Sequence, residues 1–172
     1  SSARLLNTLI RYTTDMQHPI CLVNFNVDGD QLAYVTDKQL IRFWNKVDYN
    51  SLHFLPGQDN TINQISFSPD NQSLASSSID GEIRVWSIKA HKQIFNWIDY
   101  KTGFNWLKFT PDTRYLIAGG TDNRLYIWKA DGGQYMAKIP GEDIAFSTDG
   151  KTMVSYSTDG KVDLWDLNEL NR

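Results

Sequence analysis

The chain has 172 residues, with 17 lysines and arginines against 20 aspartates and glutamates, for a formal net charge of −3. That balance lacks the basic face of a general nucleic-acid binder, and the single cysteine, Cys21, excludes an internal disulfide framework or a cysteine-built zinc cage. Hydrophobic residues make up 41% and charged residues 22%, enough to bury a core unaided, while no apolar run approaches the ~18 residues of a membrane span.

In chain order, Arg4–Arg11 is apolar enough to be a strand, and three short alternating segments follow it. Cys21–Asn26, Gln31–Thr36 and Leu40–Asn45 make the first unit, and Ser51–Leu55 trails it. The same order returns with Ile62–Phe67, Ser73–Ser78, Glu82–Trp86 and Gln93–Trp97. It returns again with Phe104–Phe109, Arg114–Gly119, Arg124–Trp128 and Gln134–Lys138, and a last time with Asp143–Phe146, Lys151–Ser157 and Lys161–Trp165. Period-2 alternation bounded by turn residues predicts a β meander rather than helix. Gly119-Gly120 and Gly132-Gly133 read as turns between strands.

The spacing is regular. Anchor phenylalanines Phe25, Phe67, Phe109 and Phe146 advance by 42, 42 and 37 residues, and so do the anchor tryptophans Trp44, Trp86, Trp128 and Trp165. Phe to Trp is always 19 residues. A fixed inner spacing with a variable outer one describes one rigid unit joined by adjustable loops. Asp28-Gly29, Pro69–Asn71, Pro111–Thr113 and Asp149-Gly150 mark the first hairpin turn of each unit. Asp37-Lys38, Asp80-Gly81, Asp122-Asn123 and Asp159-Gly160 mark the second.

Phe67-Ser-Pro-Asp70 followed by Leu74-Ala-Ser-Ser-Ser-Ile-Asp-Gly-Glu-Ile-Arg-Val-Trp86, with Trp165-Asp166, resembles the WD repeat of the WD40 β-propeller family. The resemblance covers essentially residues 4–166. It implies an all-β chain of four four-stranded antiparallel blades, at about 18–55, 59–97, 101–138 and 141–166, with strand 4–11 completing the last. It also implies a non-catalytic scaffold for proteins or peptides, with no cofactor. The family's Gly-His before each unit is missing: Gly57-Gln58 and Asp99-Tyr100 stand there instead. Its Asp–His–Ser/Thr–Trp chain is therefore broken, although an indole N–H can still reach a hydroxyl such as Ser78 or Ser157.

Asp37, Asp80, Asp122 and Asp159 recur at equivalent turns, so they are expected to be structural, as are the four anchor tryptophans. His18, His53 and His91 fall at unlike places in the repeat and predict no metal site. Cys21 reads as a small packed hydrophobe. The loops that enter each unit and the second hairpin turns share one face, rich in Asp, Tyr, Asn and Gly and suited to a polar or basic peptide. Tyr12, Gln58, Tyr100 and Trp106 are the candidate partner contacts on or near it, Trp106 as an aromatic anchor.

WD-type rings generally need about seven blades, each turning ~51°. Four leave open faces, and exposed apolar faces mean association. A homodimer closing one eight-bladed ring is therefore expected; a piece of a longer propeller and a self-closed ring are the alternatives. The leading function is a protein-interaction scaffold in the cytoplasm, with no nucleic-acid or membrane partner. The alternative is an assembly or regulatory domain of a larger bacterial or eukaryotic protein. A propeller enzyme with a site at the channel mouth comes last.

Overall fold

The computed structural model describes residues 20–46, 53–99 and 101–171. The strand expected at 4–11 lies outside the described residues. Within them the chain forms fifteen strands in four antiparallel sheets, each strand pairing with its neighbour in sequence. Blade 1 is β1 (Ile20–Phe25), β2 (Gln31–Thr36), β3 (Ile41–Asn45) and β4 (His53–Leu55). Blade 2 is β5 (Ile62–Phe67), β6 (Ser73–Ser78), β7 (Glu82–Ser87) and β8 (Lys92–Ile98). Blade 3 is β9 (Phe104–Phe109), β10 (Tyr115–Gly120), β11 (Arg124–Lys129) and β12 (Tyr135–Pro140). Blade 4 shows β13 (Asp143–Phe146), β14 (Thr152–Tyr156) and β15 (Val162–Asp166), followed by a 3-10 turn at Glu169–Asn171.

The strand register explains the constant spacing of 19. Phe25 pairs with Leu32, which pairs with Trp44. Phe67, Leu74 and Trp86 repeat that row in blade 2, and Phe109, Leu116 and Trp128 in blade 3. Phe146, Met153 and Trp165 repeat it in blade 4. One apolar row thus crosses three strands of every sheet, the cross-strand unit that stabilises a meander.

Both hairpins carry a left-handed residue at a fixed place. In the first turn these are Gly29, Asn71, Thr113 and Gly150; in the second, Gln39, Gly81, Asn123 and Gly160. Glycine and asparagine take that conformation cheaply, but Thr113 is β-branched at φ 63°. Beside the first turn, Ser68, Thr110 and Ser147 donate to Asp70 (2.5 Å), Asp112 (2.7 Å) and Asp149 (2.6 Å). Asn26 does the equivalent work in blade 1, donating to Asp30 at 2.6 Å.

The blades pack in sequence. Among the described residues, the buried clusters sit at the 1–2, 2–3 and 3–4 junctions. Alternation divides the sheets: in blade 3, Leu116, Ala118, Tyr126 and Trp128 face blade 2, while Tyr115, Ile117, Leu125 and Ile127 face blade 4. The anchor tryptophans of blades 2, 3 and 4 point to the preceding blade.

Gly119 and Gly120 are not a turn; they end β10. A Cβ at Gly119 would fall inside the indole of Trp106 on the paired strand, so the missing side chain is the seat for that ring. Cys21 is exposed rather than packed. The β1–β2 register skips it, and such a bulge turns a side chain out of the sheet. Asn63 and Asn105 are skipped at the same place in blades 2 and 3.

Candidate functional site

The repeated carboxylates are held in turns. Asp80 accepts from the Ser78 hydroxyl and from Asn60 Nδ2 at 2.6 Å. Burial disfavours its charge, but these bonds and backbone amides outweigh it and keep the carboxyl below its ordinary range. Asp159 accepts from Ser157 at 2.5 Å and from the Lys161 amide at 3.2 Å, and it too is held low. Blade 3 has Gly120 where the hydroxyl would stand. Asp122 instead takes Tyr126 Oη at 3.0 Å and Lys138 Nζ at 2.8 Å, which outweigh burial and lower its pKa. Carboxyls kept ionised in separate blades do not suit general acid work. Asp37 is exposed in the second turn of blade 1.

The indole partners differ from expectation. Trp86 Nε1 donates to Ser76 Oγ at 3.2 Å and Trp165 Nε1 to Ser155 Oγ at 2.9 Å, not to Ser78 or Ser157. Trp86 lies opposite Leu74, so its diagonal neighbour on that face is Ser76; Ser78 is a further two residues along and serves Asp80. The equivalent residue in blade 3 is Ala118, and Trp128 Nε1 is buried with no hydrogen-bond partner among the described residues.

Of the candidate contacts, Tyr12 and Tyr100 lie outside the described residues. Gln58 is buried at the blade 1–2 junction, where Nε2 donates to the Glu82 carbonyl at 3.2 Å. Arg84 pairs with the same Glu82 at 2.7 Å and reaches the Gly57 carbonyl at 2.7 Å. Gln58 is thus committed to packing, where the family carries histidine. Trp106 is half-buried; its Nε1 donates to the Glu142 carbonyl of blade 4 at 2.7 Å. Lys108 Nζ lies 4.8 Å from the Trp106 ring centroid and 2.9 Å from Asp143 Oδ1.

Trp106 also lines a groove of about 410 Å³ between blades 3 and 4, with Asn105, Gly120, Asn123, Glu142, Asp143, Tyr156 and Thr158. Its rim is formed by the second hairpin turns and the loop entering blade 4, the face singled out from the sequence. Asn105 occupies the bulge of β9, and Glu142 stands at the equivalent place one blade on. Glu142 Oε1 is shielded from solvent and has no partner among the described residues. Asp143 is half-exposed; burial opposes its charge, but Lys108 and the Ile144 amide keep its pKa low. Tyr156 is exposed beside them. The groove therefore offers carboxylate acceptors and aromatic surface together. Among the described residues no group of three His, Cys, Asp or Glu side chains is placed to hold a metal ion.

Successive antiparallel meanders, three of four strands and one of three among the described residues, pack face to face in sequence order and define the blades of a β-propeller-type repeat protein. The family described as WD domain, G-beta repeat matches residues 49–87, 91–129 and 142–166, and the chain belongs to this WD40 repeat family. Its repeats are generally non-catalytic scaffolds for protein interaction. The comparison with curated proteins gave no match. Among the described residues no helix is long and apolar enough to cross a membrane.

Proposed function

We propose that this chain is a non-catalytic interaction scaffold whose groove between blades 3 and 4 receives a basic, extended segment of a protein partner. The observation that carries the reading is Glu142 Oε1, a shielded carboxylate oxygen without a donor among the described residues, beside Asp143 and the rings of Trp106 and Tyr156. An Arg or Lys side chain supplies the missing donor and stacks on the rings. No cofactor, nucleic acid or membrane is needed, and the exposed thiol of Cys21 fits a reducing compartment such as the cytoplasm.

Fluorescence anisotropy with labelled Arg-rich and Glu-rich peptides tests this. The Arg-rich peptide should bind, weaken with added salt, and lose at least tenfold in affinity when Glu142→Gln and Asp143→Asn are combined, about 1.4 kcal/mol or more. Equal binding of both peptides, or binding indifferent to the double substitution, contradicts it. A second reading, an assembly domain in which two chains form a homodimeric ring, is favoured by the apolar side chains exposed at both ends of the blade series.

A further inference from the structure

The repeat sets each residue beside its counterparts in the other blades, and the inner-strand bulges of blades 2 and 3 both carry asparagine. Asn63, in blade 2, uses both ends of its carboxamide. Its Oδ1 accepts from Ser77 Oγ at 2.7 Å, and its Nδ2 donates across the junction to the Phe104 carbonyl of blade 3. Asn105 holds the same place 42 residues on. It is exposed, lines the groove and makes no side-chain hydrogen bond among the described residues. Two sequence differences between the blades account for this. Gly119 stands where blade 2 has Ser77, and Trp106 where it has Gln64. They go together, because a Cβ at Gly119 would lie 2.3 Å from Trp106 Nε1. Gly119 offers no hydroxyl to orient Asn105, and Trp106 makes the crossing bond to blade 4 instead, to the Glu142 carbonyl. The junction that Asn63 seals between blades 2 and 3 is left as a groove between blades 3 and 4, with a carboxamide on its lining.

Resting on the groove reading, we infer that Asn105 is a specificity-determining residue that reads the main chain of the bound basic segment. Its Oδ1 accepts a peptide N–H of the partner, and its Nδ2 donates to a peptide carbonyl. A carboxamide carries both the donor and the acceptor that this needs, and Asn63 already uses its Nδ2 on the main-chain carbonyl of a strand. An extended segment entering the groove brings N–H and C=O groups that must find partners once they are shielded from water. Glu142 and Asp143 select the basic side chain, whereas Asn105 selects a peptide over a cation that has no main chain.

Fluorescence anisotropy with the Arg-rich peptide and a series of it carrying a single backbone N-methyl group at each position in turn tests the inference. Asn105→Ala should weaken the unmodified peptide by about fivefold or more, the loss of one or two hydrogen bonds. N-methylation at one position should cost the unaltered chain a similar factor, and that cost should vanish in Asn105→Ala, because the same pairing is then already lost. Binding that depends on Glu142 and Asp143 but is indifferent to Asn105→Ala overturns the main-chain contact and leaves the groove reading standing. N-methyl losses that are the same in both chains, at every position, overturn it likewise. An Arg-rich peptide that fails to bind the unaltered chain overturns the groove reading and this inference with it.

Discussion

The hydroxyl of Ser76 accepts the indole N–H of Trp86 at 3.2 Å across β6 and β7, both side chains almost wholly buried. Trp86→Ala removes a buried aromatic and should cost about 3–5 kcal/mol. Ser76→Ala keeps the ring but strands its N–H, for about 1–3 kcal/mol. Chemical denaturation of both variants checks the order. Equal losses would show that the hydrogen bond, not the ring, dominates the site.

Blade 3 supplies the converse. Trp128 Nε1 has no partner among the described residues where Ala118 replaces the serine. Ala118→Ser should restore the bond and raise stability by about 1 kcal/mol, a rise of about 2–4 °C in Tm for a chain of this size. A lower Tm would mean that the added oxygen does not fit the close packing of Ala118.

Thr113 occupies a left-handed position that glycine or asparagine fills in the other blades. Thr113→Asn should stabilise by about 1 kcal/mol by relieving the β-branched side chain. It also removes the 2.7 Å bond from the Thr113 hydroxyl to the Asp112 carbonyl, so the gain measures the strain net of that bond. Thermal unfolding reads the sign directly.

Acid should loosen the turns. Asp80, Asp112, Asp122 and Asp143 all have lowered pKa values in the fold. Their stabilisation is complete above the unfolded carboxylate value of about 4 and is lost as pH falls through the lower folded values. Tm should be flat above about pH 5 and fall below about pH 4. Asp80→Asn should be less stable at neutral pH and show a shallower acid slope. An unchanged slope would mean that Asp80 titrates alike in the folded and unfolded chain.

The strands and hairpins were legible because the Phe–Leu–Trp row repeats in register and the turn residues recur in phase. The indole partners were not, because choosing Ser76 over Ser78 requires knowing which diagonal neighbour a cross-strand pairing supplies. Gly119 read as punctuation, although its role is to seat Trp106. Gln58 read as a loop residue, although it closes a buried network with Glu82. The groove joins Asn105, Glu142 and Tyr156, which are remote in sequence and meet only when blade 4 packs on blade 3. Of the groove residues, Trp106 alone was a named candidate contact in the sequence, as an aromatic anchor near the loop face.

The most direct test of the groove as the contact surface is hydrogen exchange by mass spectrometry, with and without a saturating Arg-rich peptide. The account predicts new protection confined to segments 104–109, 120–123, 142–146 and 156–158, with the loops of blades 1 and 2 unchanged. Protection centred on blades 1 and 2, or no protection at saturation, would contradict it.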